Sequence, residues 1–158
     1  MNYAEQMQRI WQEYEGAGMP TPATTRDVAA WAIKQGLWKP RPADIVTQCA
    51  DDLSKALREE YRTDKNGRRY RSKHAVRISS GGTQLTFWAA IDSAPRSHME
   101  PAFSQRRHKV IGDCYQLKTD VDCYNSAHSS DFPINLILDF TMDVREMEVI
   151  NGFDRKRA

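Results

Sequence analysis

The stretch Arg68-Arg69-Tyr70-Arg71-Ser72-Lys73-His74-Ala75-Val76-Arg77-Ile78 decides the expected fold, because its polarity alternates along the chain. Successive side chains of a β-strand point to opposite faces. One face would carry the less polar side chains Tyr70, Ser72, His74, Val76 and Ile78. The other would carry Ala75 and the cations Arg69, Arg71, Lys73 and Arg77. This pattern predicts a strand with one face against a core and one cationic face in water.

Glycine-containing turns lie on both sides of this strand. Asp64-Lys65-Asn66-Gly67 precedes it and Ser79-Ser80-Gly81-Gly82 follows it, and tight hairpin turns favour such Asn-Gly and Gly-Gly pairs. Residues 83–91 then alternate again, and their apolar face comprises Leu85, Phe87, Ala89 and Ile91. The sequence therefore predicts a β-hairpin within residues 61–91.

Positive charge is concentrated in this hairpin. Between residues 62 and 77 the single acid Asp64 stands beside seven cations: Arg62, Lys65, Arg68, Arg69, Arg71, Lys73 and Arg77. The whole chain has a net charge of only +2, so the segregation is local. Clustered cations on one face are typical of phosphate binding. Solvated cations also protect sheet edges from pairing, and this second interpretation stays open.

Length and composition indicate a cytoplasmic protein of one domain, or of one domain with an interaction arm. Of its 158 residues, 40% are hydrophobic and 28% are charged. No apolar run approaches the roughly 20 residues that cross a bilayer, and no secretion signal is expected, so no membrane partner is predicted. The three cysteines have no useful spacing and predict reduced thiols.

Three helices are predicted before the hairpin. Apolar residues at helical spacing predict one helix over residues 3–15 and a second from a cap at Thr24 or Thr25 to about Gln35. A third helix, over residues 43–62, would pack through Ile45, Val46, Cys49, Leu53, Ala56, Leu57 and Tyr61. Within that face, Cys49 is expected to be a small core residue rather than a nucleophile.

The order helix, helix, connector, helix, hairpin over roughly residues 7–91 resembles the winged helix-turn-helix superfamily of DNA-binding domains. The expected fold class is α+β, mainly helical, with a winged-helix domain over residues 1–94. The resemblance implies that the helix from Thr25 positions the helix over residues 43–62, which would be the recognition helix. One of the two hairpin turns would then form the wing.

Charge pattern and resemblance together give the candidate DNA-binding residues. The phosphate contacts would come from Arg68, Arg69, Arg71, Lys73 and Arg77, and the groove contacts from Thr47, Gln48 and Lys55. The third helix departs from the family pattern because its acids, which include Asp51, Asp52 and Glu59, outnumber its cations. Whether this helix or the hairpin makes the main DNA contact is therefore open.

Residues 95–158 are predicted to form a dimerisation region. A helix over residues 96–125 carries a heptad-like seam: Met99, Phe103, Val110, Cys114, Leu117, Val121 and Tyr124. The seam would pack on its own domain or pair with a second copy, and the homodimer is the preferred prediction. Its interface would comprise Phe103, Val110, Leu117, Val121 and Tyr124. The basic turn at residues 106–109 is interpreted as solvated, with a phosphate contact as the alternative if this helix lies along the hairpin.

Two interpretations apply to the segment after this helix. Alternation over residues 134–141 predicts a strand, and a helix beginning at Asp131 is the alternative. Asp143 and Glu146 have the spacing of a capping box for a short helix to about Ile150, which Asn151-Gly152 would end. Residues 154–158 are expected to be a mobile basic tail.

The sequence contains no pattern typical of a catalytic or metal site. Its cysteines and histidines lack paired ligand spacing, and neither a glycine-rich phosphate loop nor a nucleophile elbow occurs. We therefore predict a non-catalytic protein without a cofactor or metal that binds double-stranded DNA, such as a homodimeric transcriptional regulator. A protein-interaction module on a winged-helix scaffold and an RNA-binding protein are the alternatives.

Overall fold

The computed structural model describes residues 2–155, and their fold belongs to the predicted α+β class. The helices are α1 (Tyr3–Gly16), α2 (Thr25–Lys34), α3 (Ile45–Glu59), α4 (Arg96–Ala127) and α5 (Thr141–Arg155), with a 3-10 turn at Pro42–Asp44. The strands are β1 (Tyr61–Thr63), β2 (Arg69–Arg71), β3 (Lys73–Ser80) and β4 (Thr83–Ala90). The chain divides into two units, residues 1–51 and 52–158. The functional boundary at residue 94 stays a prediction.

The first unit has a small core between α1 and α2. Its buried residues are Ile10, Tyr14, Val28 and Ala32. The Trp31 ring meets the Tyr14 ring edge-on, with 5.4 Å between the centroids. The α2 helix begins where the Thr24 side chain accepts a hydrogen bond from the backbone N–H of Asp27 at 3.1 Å. The predicted positions of both helices are confirmed, and Thr24 is the cap.

The third helix is shorter than predicted, and its apolar face is not buried. It ends at Glu59, because the residues from Tyr61 onward leave the helix and pair with β2. No described side chain of α3 is buried, and Val46 is 80% exposed. The predicted packed face is therefore wrong, and Cys49 is exposed rather than in a core. Apolar periodicity identifies the helix, but it does not say what covers the helix.

The first hairpin joins β1 and β2, with Tyr61 opposite Arg71. Asp64 holds its turn, because the carboxylate accepts hydrogen bonds from the backbone N–H groups of Asn66 and Arg68 at 2.9 Å each. These bonds also keep the pKa of Asp64 below its usual value. Gly67 takes a φ of 78°, which confirms the predicted turn.

The second hairpin joins β3 and β4 through a two-residue turn. Gly81 and Gly82 have φ angles of 57° and 79°, as the favoured two-residue hairpin turn requires. The sequence predicts one hairpin, but the structure has two because the chain is interrupted at Ser72. This residue is fully buried; its backbone N–H donates to the carbonyl of Glu60, just before β1, and its C=O accepts from the N–H of Ile91, just after β4.

The inward face predicted for the hairpin is confirmed only near the start of β3. Ser72, His74 and Val76 are buried there. Further along, three predicted inward residues are 43% to 49% exposed: Ile78, Leu85 and Phe87. Alternation predicts which side chains share a face, but not how far the covering element extends along that face.

The covering element is the first third of α4, which packs on β3. Met99 and Ala102 are the buried residues of this helix. His98 donates from Nε2 to the carbonyl of His74 at 2.9 Å. The Gln105 amide pairs with both backbone groups of Arg77, since it accepts from the N–H at 2.8 Å and donates to the C=O at 2.9 Å. The predicted α4 is confirmed, and its N-terminal part lies along the basic hairpin.

Beyond α4 the structure differs from the sequence-based prediction. Residues 132–140 form no ladder with a described strand; instead, the side chain of Asn125 exchanges two hydrogen bonds with the backbone of Ile134, at 2.8 and 2.9 Å. The α5 helix begins at Thr141, whose N–H donates to the Asp139 side chain. It continues through Gly152, because one glycine costs a helix only about 1 kcal/mol. The predicted strand, the helix from residue 131 and the bounds of the short helix are therefore wrong.

Two predictions concern the tail and the membrane. The α5 helix extends to Arg155, and the rest of the predicted mobile tail, residues 156–158, lies outside the described residues. Among residues 2–155, no helix combines the length and the apolar character that crossing a bilayer requires.

Candidate nucleic-acid interface

The cations of the two hairpins fall into two groups according to their ion pairs. Arg62, Arg68 and Lys73 pair with Asp92, Asp64 and Glu60, at 2.9, 2.7 and 3.4 Å. Such partly exposed pairs add little to stability, but they cancel charge locally. Two of the predicted phosphate ligands, Arg68 and Lys73, are thus already neutralised by acids of the same chain.

The second group consists of Lys65 and three arginines, Arg69, Arg71 and Arg77. Within the described part of the chain, no carboxylate oxygen lies within 4.0 Å of their side-chain nitrogens. Arg69 lies over the Tyr61 ring, with its Cζ atom 4.2 Å from the centroid. Arg71 donates from Nε to the Tyr61 hydroxyl at 3.3 Å. Two of these guanidinium groups therefore converge on one phenol.

A fourth arginine, Arg106 of α4, belongs to the same group. Burial lowers the pKa of Arg106, and the neighbouring charge of Arg71 lowers it further. The hydrogen bond and charge of Arg71, followed by the charges of Arg69 and Arg106, bring the pKa of Tyr61 below its usual value of 10.0. We call Arg69, Arg71 and Arg106 around Tyr61 the arginine cluster.

His74 lies next to this cluster, and burial lowers the pKa of its ring. The hydrogen bond to Arg71 opposes this shift, whereas the charges of Arg106, Arg71 and His98 act with it. Its Nε2–H donates to the carbonyl of Arg71 at 2.9 Å, and its ring meets Phe103 edge-on at 5.4 Å. The lowered pKa favours the uncharged form of the ring, and the ring supports the backbone that carries Arg71.

The arginine cluster is suited to hold an oxyanion. Guanidinium groups without a carboxylate partner repel one another, and an anion between them would remove that repulsion. Their planar forks also match phosphate oxygens two at a time. The cluster can therefore bind and position a phosphate group, and it offers no nucleophile other than the phenol that Arg71 already contacts.

Sequence reasoning missed two members of this site. Tyr61 was expected at the end of a helix, and Arg106 was expected in a solvated turn; the alternative of a helix lying along the hairpin is the one that the structure bears out. The signal for Arg106 is the interruption of the apolar seam at that level of α4. No local signal marks Tyr61, because its position depends on pairing with β2.

The predicted groove contacts lie on α3. Thr47 and Gln48 are exposed and belong to the first unit, whereas Lys55 is exposed and belongs to the second. In the second unit, Arg58 lies over the Trp88 ring of β4 at 5.2 Å, so the last turns of α3 contact the second hairpin. Lys55 is thus the one member of this group that the structure places in the same unit as the arginine cluster.

The predicted dimer residues form an uncovered stripe along α4. Phe103, Val110, Leu117 and Tyr124 are 47% to 53% exposed, and Val121 is half-buried. Nothing in the described part of the second unit buries the stripe beyond Ala102. The structure therefore leaves this surface available to a partner.

The described residues contain no arrangement for a metal. No three or more of their His, Cys, Asp and Glu side chains come together as ligands. Cys49, Cys114 and Cys123 are free thiols.

Comparison of the chain with protein-family models, with curated proteins and with solved structures gave no match. The winged helix-turn-helix resemblance therefore stays a prediction based on the order of the elements.

The convergence of arginines on Tyr61 predicts an unusual phenol. In a spectrophotometric titration, one tyrosine should ionise below the usual pKa of 10.0, and the Tyr61→Phe change should abolish that component. The Arg71→Gln change should move it upward, because the hydrogen bond and charge that favour the phenolate are lost. Arg77→Gln is the matched control and should leave the component in place. An unchanged titration in Arg71→Gln would contradict the described geometry.

Proposed function

We propose that this protein is a non-catalytic double-stranded DNA-binding protein, acting as a homodimeric transcriptional regulator. The observation that carries the proposal is a group of four arginines without acidic partners: Arg69, Arg71, Arg77 and Arg106. They lie on two hairpins and one helix of a single unit, whereas Arg62, Arg68 and Lys73 beside them are paired with carboxylates. Phosphate contacts supply most of the affinity of proteins for DNA, and arginine is the side chain best shaped for them.

The proposal assigns the main contact to the hairpins rather than to α3. The exposed surface of α3 includes Asp51, Asp52 and Glu59, which would lie close to phosphates in the major groove and be repelled there. Residues 78–85, around the Gly81-Gly82 turn, carry no charge, and most of the cations lie on the strands. Contact by the strands of the hairpins thus fits the charge distribution better than docking by α3.

RNA binding receives less support from the structure than duplex binding does. Tyr70 and Trp88 are the aromatic residues considered for base stacking. The hydroxyl of Tyr70 donates to Asp92 at 3.1 Å, and the half-buried Trp88 ring is covered on one face by Arg58. Stacking on Trp88 would require that arginine to move.

The alternative of a protein-interaction module is supported by the acidic surface of α3. Nuclease treatment of a recovered complex distinguishes this alternative from DNA binding.

Salt dependence tests the DNA proposal. The double change Arg69→Gln and Arg71→Gln should lower the slope of log affinity against log salt by about 1.8, since each phosphate contact contributes about 0.9. Fluorescence anisotropy with a labelled duplex, repeated at several salt concentrations, measures the slope.

The control removes the same charge from paired cations. Arg68→Gln with Lys73→Gln should change the slope by clearly less than one contact, because Asp64 and Glu60 already neutralise these side chains. If the salt slope fell equally in both double variants, ion pairing would not determine which cations contact phosphates. Absence of duplex binding by the unaltered protein at low salt would overturn the proposal.

The homodimer has its own test. Leu117→Asp with Val121→Asp places charge in the α4 stripe and should give monomers in sedimentation velocity. Duplex affinity should fall about 100-fold or more, since two linked half-site contacts become one. Thr119→Asp with Cys123→Asp introduces the same charges at the same spacing away from the seam and should remain dimeric. A monomeric unaltered protein at tens of micromolar would refute the assembly.

A further inference from the structure

The α5 helix has an apolar surface that its own chain leaves uncovered. None of its described side chains is buried, and five large apolar ones are 53% to 67% exposed: Met142, Val144, Met147, Val149 and Ile150. At 100° per residue they lie within an arc of about 220° that Asp143 and Glu146 share, and Thr141, Arg145 and Glu148 occupy the rest of the helix surface. An amphipathic helix in water normally buries such a surface.

The segment that leads to α5 is apolar and uncovered as well. Phe132 is 99% exposed and Ile137 is 84% exposed. The segment is nonetheless held in place, because the Asn125 side chain pairs with both backbone groups of Ile134. This pairing fixes Ile134 beside Asn125, in the last turn of α4.

The second half of α4 is a complementary surface. Val110, Ile111, Tyr115, Leu117 and Tyr124 are 47% to 72% exposed there. If α5 packed on α4 of the same chain, it would cover this surface and both sets of side chains would be buried. Both sets remain exposed, so neither surface covers the other within the described chain.

We propose that residues 132–155 of each chain, the C-terminal arm, pack on α4 of a second copy of this chain. The inference rests on the homodimer of the proposed function and extends it, because the α4 seam alone would leave both arms exposed. Exchange of identical elements between copies is a low-cost route to a two-fold dimer.

The exposed area suits a permanent dimer. Sixteen large apolar side chains between Phe103 and Ile150 are exposed, and they are Phe103, Val110, Ile111, Tyr115, Leu117, Tyr124, Phe132, Ile134, Leu136, Ile137, Phe140, Met142, Val144, Met147, Val149 and Ile150. At on the order of 100 Å² each, they present about 1,600 Å² per chain. Permanent homodimers bury about 1,000 to 2,500 Å² per partner, whereas single-chain proteins rarely expose a continuous apolar patch above a few hundred Å².

The length of the segment before α5 and the charges of α5 are compatible with packing on α4 of a second copy. Residues 128–140 can span at most about 45 Å, and packed helices lie only about 8–10 Å apart, so α5 can reach a neighbouring α4. Asp143, Glu146 and Glu148 make α5 acidic, and none of them has a cation within 4.0 Å in the described part of the chain. Arg107, which follows Arg106 at the interruption of the α4 seam, likewise has no acidic partner within 4.0 Å in the described part of the chain. A second copy would bring these charges together.

Photo-cross-linking in mixed dimers tests the exchange. A benzophenone amino acid replaces Met147 in both ¹⁵N-labelled and unlabelled protein, and the two are mixed, unfolded and refolded together. Arm exchange predicts cross-links from position 147 to residues 110–124, with about half of them joining a labelled to an unlabelled peptide under random two-fold pairing. The same probe at Arg145, which points about 160° away on α5, is the matched control and should give far fewer α4 cross-links.

The possible outcomes separate this inference from the proposed dimer. Cross-links that join only peptides of the same label would mean that the arm folds on its own α4, and they would refute the exchange. A dimer in sedimentation with no cross-link from position 147 to α4 would also refute the arm exchange, but it would leave the proposed dimer through the α4 seam unaffected. A monomer in sedimentation would refute the homodimer itself.

Discussion

The pairing of the Gln105 side chain with the backbone of Arg77 is the contact on which the second unit depends. Two hydrogen bonds of 2.8 and 2.9 Å hold α4 against β3, and Met99 and Ala102 are the only buried side chains of α4 that support them. Each such bond contributes about 0.5–1.5 kcal/mol. Because Arg106 follows Gln105 directly, this contact also sets where the helix adds its guanidinium to the arginines of the hairpins.

The arginine cluster carries an electrostatic cost in the free protein. Burial and the charge of Arg71 lower the pKa of Arg106, and the hydrogen bond from Arg71 and the surrounding cations shift the phenol of Tyr61 toward its anionic form. Neighbouring cations such as Arg62 and Lys73 avoid this cost through carboxylates of the same chain. An uncompensated group beside compensated ones is what an anion-binding surface requires, since the ligand supplies the missing charge. The arginine cluster thus links the proposed DNA binding to the fold of the second unit.

Sequence patterns predicted the features whose cause is local. The turns at Gly67 and Gly81-Gly82 follow from backbone angles that glycine adopts easily, and α1, α2 and α4 follow from apolar periodicity, with a cap at Thr24 for α2. Three features depend on distant partners and were not predicted: Tyr61 in a strand rather than a helix, the break at Ser72, and the extended segment held by Asn125. For the site, the sequence identified the basic hairpin but not which cations are neutralised, because ion pairs with Glu60 and Asp92 form only in the folded chain.

The central claim is that unpaired arginines of the second unit contact DNA phosphates while paired ones do not. The most direct measurement follows the side-chain Nε–H signals of the arginines by ¹H–¹⁵N NMR while a short duplex is added. The account predicts that the signals of Arg69, Arg71 and Arg106 shift together, and that those of Arg62 and Arg68 stay close to their free positions. Shifts confined to Arg62 and Arg68, or to the backbone signals of α3 with all three cluster signals unchanged, would contradict it.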